Sequence, residues 1–197
     1  LKSGSFSATV TLSGEGKNPP LTFTEGWNFS EKSGKKNSQW LSTYSKARNM
    51  DFGAGKLYVV NAEDGKIAVV NAQTGEFIKD LDMTGVSGGA LKVIDVKYFD
   101  GKIVACNLAS NANDNSKTLK VYVWDNDDAK PRVLLNTTKY DGKARIGDCI
   151  GLNGNLTNGY IFFAAGSASE QTEVICYNIV NGTCSGEPGA LTPLKED

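Results

Sequence analysis

Residues 51–76 read DFGAGKLYVVNAEDGKIAVVNAQTGE. It contains two six-residue runs, KLYVVN and KIAVVN, whose inner positions are all apolar. The segment Glu63-Asp64-Gly65 between them is typical of a tight β-hairpin turn. A second turn, Gln73-Thr74-Gly75, leads into a more polar run at 76–81. The stretch therefore predicts consecutive antiparallel strands.

A short motif ahead of these strands occurs three times along the chain. It reads KARNMD at 46–51 and KARIGD at 143–148, with a looser copy, LKVID, at 91–95. Each copy places a cation three residues before an Asp and is followed by a turn glycine and an apolar run. Units of about 40–50 residues built from short strands are typical of β-propeller blades.

The apolar runs after each motif copy predict the remaining strands. We expect them at 93–99, 102–108, 119–124 and 132–136 in the second unit, and at 146–152, 160–164, 174–178 and near 190–194 in the third. Their nearly continuous apolar character predicts sheets that are covered on both faces. Blades that stack on one another satisfy this pattern, and a two-layer sandwich is the alternative. No helical periodicity is present.

These patterns predict an all-β fold made of four-stranded antiparallel β-propeller blades. We expect one propeller domain with blades at 46–90, 91–143 and 144–197, and N-terminal strands and a loop at 1–45 that could form part of a fourth blade. We expect about three to four blades in all, and three blades do not close a ring. The chain is therefore expected to be an incomplete propeller, a portion of a longer ring, or a self-associating unit.

The blade pattern at 51–76, and again at 95–124, resembles the repeat of NHL- and YVTN-type β-propellers. With Trp27-Asn28 and Trp40-Leu41 ahead of the blades, the chain is also similar to propeller domains of unknown function in surface lipoproteins of gut-dwelling Gram-negative bacteria. The resemblance covers residues 46–180 and implies an extracytoplasmic location, at the periplasm or the cell surface. Because the chain starts at Leu1, we expect a removed N-terminal segment, which leaves a lipid anchor open.

Composition limits the classes of partner. The 197 residues include 21 basic and 22 acidic side chains, for a net charge of −1, so charge gives no reason to expect nucleic acid or an anionic membrane. The longest apolar stretch, at 160–165, is too short to span a bilayer.

The chain has no histidine, which excludes imidazole-based catalysis and His-ligated zinc within it. None of the four cysteines forms a CxxC pair, and their disulfide state stays open. Residues 111–115 place oxygen side chains on alternate positions but lack the acidic end of a calcium loop. We therefore expect no cofactor and no bound metal.

The repeated cations Arg48, Lys92 and Arg145 are the first candidate site. At the entry of each innermost strand they could ring one mouth of a central channel and attract a uronate, a sialate or a carboxylate tail. The alternative is structural, with each cation paired to an Asp of the motif and tying one blade to the next. Those acidic residues are Asp51, Asp95 and Asp148.

The long connections at 109–118 and 166–172 are the second candidate site, because loops on a rigid scaffold often carry binding residues. Their candidate ligand-binding residues are Asn111, Asn113, Asp114 and Glu170. The aromatic residues Trp40 and Tyr140 are flanked by polar residues and are candidates for stacking on sugars.

Three hypotheses of function follow. The first is a non-enzymatic binding or scaffolding module that recognises glycan or protein through loops on one face. The second is a glycan-active enzyme, a glycosidase or a lyase, that uses two of the motif carboxylates. The third is a purely structural assembly module. Carboxylates that are each locked to an Arg or Lys would favour a structural role.

Overall fold

The computed structural model describes residues 47–140, 143–166 and 173–189. Within these ranges the chain forms antiparallel strands joined by turns and contains no helix, hence none that could cross a bilayer. The expected all-β fold is confirmed. The strands are β1 Ala47–Gly53, β2 Lys56–Asn61, β3 Lys66–Asn71, β4 Phe77–Asp80, β5 Leu91–Phe99, β6 Lys102–Ser110, β7 Leu119–Trp124, β8 Arg132–Thr137, β9 Arg145–Ile146, β10 Gly151–Gly154, β11 Gly159–Ala165, β12 Glu173–Val180 and β13 Thr183–Pro188.

The first meander consists of β1 to β4, which pair in chain order as a separate four-stranded sheet. Its β2–β3 turn places Gly65 at a φ of 64°, a left-handed conformation that glycine adopts without steric cost. After β3, the side chain of Asn71 accepts the backbone N–H groups of Gln73 and Thr74 at 2.9 and 3.0 Å. A side-chain cap of this kind replaces the backbone hydrogen bonds that end where the strand ends.

The second meander (β5–β8) and the third (β10–β13) belong to one nine-stranded, barrel-like sheet. The two-residue strand β9 joins them, because Ile146 pairs with Ala109 of β6 and with Ala165 of β11. At the far ends of this sheet, β8 and β13 come together. There the hydroxyl of Thr137 donates to the carbonyl oxygen of Gly186 at 2.6 Å. The sheet is nearly closed.

The apolar core lies between the meanders. Alternate residues of β2 and β3, such as Tyr58 and Ile67, pack in one cluster with Ile103 and Trp124 of the second meander. The opposite face of the second meander packs on the third in another cluster, which includes Val121 and Phe163. The second meander is therefore covered on both faces, and this is the physical reason for its near-continuous apolar strands.

Two details differ from the sequence-based expectation. The strand expected at 146–152 is split into β9 and β10, because Gly147 has a φ of 103° and approaches β6 so closely that a Cβ would lie 2.3 Å from the carbonyl oxygen of Asn107. The last strand lies at Thr183–Pro188, in a segment that is too polar to be recognised as a strand from the sequence. The expected strands at 190–194 and within 1–45 fall outside the described residues. The number of blades stays a prediction.

Gly53 provides a test of the contact between the first two meanders. A Cβ at this position would lie 1.9 Å from Cγ of Tyr98, whose ring stacks on Tyr58 with centroids 5.8 Å apart. Gly53→Ala should lower the free energy of unfolding by about 1–3 kcal/mol, since the aromatic pair must shift. Urea denaturation measures this. Gly151→Ala is the matched control, because Gly151 has no positive φ and the atom nearest to its Cβ position is Cβ of Phe162 at 3.4 Å, an ordinary contact distance. An equal loss there would contradict the prediction.

Candidate ligand-binding cleft

The motif residues meet at a cleft where the first strands of the meanders begin. Its volume is about 370 Å³. It is lined by Arg48, Asn49, Leu91, Ile94, Leu108, Arg145 and Asp148. The lining therefore combines an apolar floor from β5 and β6 with two guanidinium groups, one amide and one carboxylate. Such a concave site with few charged groups is suited to binding an anionic ligand.

Arg145 is held at the cleft by its backbone. It pairs with Ser110 at the end of β6, and its carbonyl oxygen accepts the N–H of Gly166 at 2.9 Å. The next loop is tied in as well, because the N–H of Asn111 donates to Ala144 at 2.9 Å. A guanidinium on a rigid strand is positioned more accurately than one on a loop.

Asn49 joins three segments of the chain. Its side-chain amide donates to the carbonyl oxygen of Ile94 at 3.1 Å and to that of Asp148 at 3.3 Å. These contacts connect β1 with β5 and with the segment between β9 and β10. Sequence reasoning did not single out Asn49 as a site residue, although it directly follows Arg48 in the repeated motif.

The charges in the cleft are unevenly paired. Asp148 accepts two hydrogen bonds from Arg145, from Nε at 2.7 Å and from Nη2 at 2.5 Å. The bonds from Arg145, followed by the charges of Arg145 and Arg48, hold the pKa of Asp148 below its usual value despite partial burial. Arg48 is exposed, and no ion pair joins it to another described residue. Two cations thus face one carboxylate.

The acidic residues of the other two motif copies accept hydrogen bonds from backbone N–H groups and do not pair with the motif cations. Asp51 accepts the N–H of Tyr98 at 2.7 Å, across the seam between the first and second meanders. Asp95, fully buried, accepts the N–H of Ile150 at 2.8 Å across the next seam, and Lys97 lies 2.9 Å away. The expected pairs Arg48–Asp51 and Lys92–Asp95 are therefore replaced by these contacts. Among the three expected pairs of a motif cation with its Asp, Arg145–Asp148 is the one that forms.

Lys92 does not line the cleft. Its aliphatic stem lies against the β2–β3 turn, where Cδ is 3.1 Å from the position of a Cβ on Gly65. Arg48 and Arg145 are therefore the members of the expected cation ring that the structure brings together at the cleft. Trp40 and Glu170 lie outside the described residues.

The long β6–β7 connection is held by internal hydrogen bonds. Asn111 donates to the carbonyl oxygen of Lys143 at 2.9 Å, and Asn113 accepts the N–H of Ser116 at 3.1 Å. Asp114 forms an exposed ion pair with Lys117 at 2.7 Å. Asn111, Asn113 and Asp114 do not line the cleft. Within the described ranges, no cluster of acidic residues and cysteines could hold a metal ion.

Tyr140 is a core residue. It is only 2% exposed, and its hydroxyl donates to the carbonyl oxygen of Lys117 at 2.9 Å. Its ring face is therefore not accessible to a sugar.

A second constellation lies around Asp127, a residue of the β7–β8 turn that the sequence analysis did not single out. Asp127 accepts the hydroxyl of Tyr58 at 2.8 Å and pairs with Lys56. Burial, then the hydrogen bond to Asp127, raises the pKa of Tyr58 far above its usual value. The turn is capped by Asn126, which accepts the N–H of Asp128 at 2.9 Å. The contacts of Asp127 with Tyr58 and Lys56 hold the β7–β8 turn to the first meander.

Removing the Asp95 carboxylate should destabilise the fold strongly. In Asp95→Ala, the N–H groups of Val96 and Ile150 lose their side-chain acceptor, and Lys97 loses its partner. We expect a loss of about 3 kcal/mol in the free energy of unfolding, measured by urea denaturation. Asp114→Ala removes an exposed pair and should leave the midpoint unchanged. Similar urea denaturation midpoints for the two variants would contradict a stabilising role of the buried Asp95 carboxylate.

The Arg145–Asp148 pair predicts a pH effect with a defined sign. Because the pKa of Asp148 is lowered in the folded state, the pair stabilises the fold above the ordinary value of 3.8 and stops doing so as pH falls through the folded value. An NMR titration of the Asp148 carboxyl carbon should give a midpoint below 3.8, and Arg145→Gln should move it upward. An unmoved midpoint in the variant would refute the pairing.

No protein-family model and no curated protein matches the chain. Among solved structures, it is similar to a DUF4623 family protein from Bacteroides eggerthii, with 23% sequence identity and a TM-score of 0.59. The match covers 73% of this chain and 34% of that protein, so the chain spans about a third of its length. A computationally designed protein, Ika4, matches with 15% identity and a TM-score of 0.40, over 80% of this chain and 99% of that one.

At this level of identity the first match shows a common fold and no more. The chain is thus an all-β protein with a nearly closed, barrel-like sheet, whose structural neighbour from a gut Bacteroides belongs to a family of unknown function.

Proposed function

We propose that this chain is a series of β-propeller blades that acts as an extracytoplasmic, non-enzymatic binding module. In this proposal the cleft takes the anionic group of a glycan, such as a uronate, or of an acidic protein segment. The observation that carries it is the pair of arginines, Arg48 and Arg145, which line one cleft together with a single carboxylate, Asp148.

The blade assignment is supported by the stacking of the three meanders. Each meander has four antiparallel strands in chain order, and the second meander is packed on both faces. The extracytoplasmic location rests on the resemblance of the repeats to surface lipoproteins.

The arrangement of charges favours binding of an acidic group. An incoming carboxylate can bind Arg48 and share Arg145 with Asp148, because a guanidinium presents five N–H donors in a planar fork. The apolar floor formed by Leu91, Ile94 and Leu108 offers a surface for the non-polar part of the ligand. Asn49, which fixes the carbonyl oxygen of Asp148, keeps the two arginine-bearing segments together.

The enzymatic alternative finds little support in the same site. A glycosidase needs two carboxyl groups that face the scissile bond, one of which can carry a proton. Asp95 is fully buried and Asp51 is bound to the N–H of Tyr98. Asp148 is paired with Arg145, which lowers its pKa and keeps it ionised. All three carboxylates therefore serve as fixed acceptors.

Calorimetric titration with oligogalacturonate and with a neutral oligosaccharide of equal length tests the proposal. We expect the acidic ligand alone to bind, and its affinity to fall with rising salt concentration. Because a charge-assisted hydrogen bond contributes about 1.5–3 kcal/mol, Arg48→Ala should weaken binding roughly 10- to 100-fold.

Arg132→Ala is the matched control, since Arg132 is an exposed cation on β8 that does not line the cleft. Equal weakening in the two variants would indicate non-specific attraction to positive charge. Equal binding of the neutral and the acidic ligand, or no effect of Arg48→Ala, would overturn the proposed site. An acidic peptide in place of the oligosaccharide distinguishes a protein ligand from a glycan.

A further inference from the structure

The centre of the outer face of the first meander is buried. We define this face as the side of β1 to β4 that points away from the second meander. Val59 of β2 and Ala68 and Val70 of β3 lie at its centre and are 2%, 1% and 0% exposed. Among the described residues, the apolar side chains that pack against them are Leu57 and Phe77, which belong to the same sheet. Neighbours within a sheet flank a side chain but leave its outer end open, so a further segment covers these three residues.

Two valines on other strands show the exposure of a sheet position without a cover. Val133 on β8 and Val174 on β12 are 51% and 68% exposed. Val59 and Val70 have the same side chain in the same extended backbone and are nearly inaccessible. Side chains on a sheet become this inaccessible when another layer packs on them, about 10 Å from the sheet.

The cover is narrower than the sheet. On β1, Met50 and Phe52 lie on the outer face, because they pair with Val59 and Leu57 of β2. They nevertheless remain 58% and 54% exposed. A whole four-stranded meander, about 15–20 Å wide, would extend over β1 as well. The occupant therefore lies over β2 and β3.

Four segments of the chain lie outside the described ranges, and three of them are poor covers. Residues 141–142 read DG and residues 167–172 read SASEQT, without a large apolar side chain. Residues 190–197 read ALTPLKED, with two leucines and three charged residues. The burial is present in a single copy of the chain, so the occupant belongs to the chain itself.

Residues 1–46 are the segment that fits the face. They lead directly into β1, an edge strand of the sheet that is covered. Their sequence contains Phe6, Ala8, Val10 and Leu12 at alternate positions, which places apolar side chains on one side of an extended chain. On the face itself, the small side chain of Ala68 leaves room for a larger one.

We propose that residues 1–46 fold back over β2 and β3 and close the outer face of the first meander. The end of a repeat series exposes the apolar face that the next repeat would cover, and repeat proteins close such ends with a cap. The N-terminal segment is that cap, so the series of meanders is closed at this end by its own chain. Val59, Ala68 and Val70 do not line the cleft, and the proposal is independent of the proposed function.

Photo-cross-linking in the intact chain identifies the occupant. A photo-reactive phenylalanine analogue replaces Phe77, which packs against the buried centre from β4. Peptide mapping by mass spectrometry then locates the new bond, and we expect it within residues 1–46. Unlabelled chains are mixed before irradiation with chains labelled with heavy nitrogen, which separates bonds within a chain from bonds between two copies. We expect cross-linked peptides of one isotope only.

Phe163 is the matched control position, because it is buried among described residues of the second and third meanders. The analogue there should cross-link to the residues packed around it, which include Tyr177 with ring centroids 6.2 Å apart. Cross-links from position 77 to residues 190–197, or to a chain of the other isotope, overturn the proposal. The absence of a cross-link from position 77 in conditions where position 163 reacts also overturns it. Circular dichroism confirms that both proteins are folded.

Discussion

The buried carboxylate of Asp95 is the contact on which the rest of the structure depends. It is fully excluded from solvent, and it accepts the N–H groups of Val96 and Ile150 while Lys97 compensates its charge. A buried charge is tolerated only when hydrogen bonds and a counter-charge replace water. Those donors come from two meanders, so Asp95 is satisfied only when the second and third are correctly placed against each other.

The candidate cleft forms where Asp95 holds the second and third meanders together. The segment that Asp95 holds at Ile150 also carries Asp148, whose carbonyl oxygen accepts the amide of Asn49 from the first meander. The same segment follows β9, which fixes Arg145 between β6 and β11. The two arginines of the cleft thus come from distant parts of the sequence, and their spacing is set by the stacking of sheets rather than by a loop.

The repeated motif uses its acidic residue differently in its three copies. Its acidic residues at the two inner seams accept backbone N–H groups, which stabilises the stack. Its third copy has no described meander beyond it, and there the carboxylate pairs with Arg145 in an open cleft. Where another meander packs against it, the motif aspartate accepts backbone hydrogen bonds from that meander. Where it is exposed, the same residue type is a charged surface group.

The local structure follows from short-range patterns in the sequence. Strands β2, β3 and β7 lie at the predicted positions, and Asn71 caps its turn, because apolar runs, turn glycines and Asx side chains act within a few residues. Which of these residues come into contact depends on how the sheets pack against one another. This packing buried Tyr140, separated Lys92 from the two arginines and paired Asp51 and Asp95 with backbone N–H groups. A backbone donor is the same at every non-proline residue and leaves no mark in the sequence. Such contacts are fixed only when remote segments pack together.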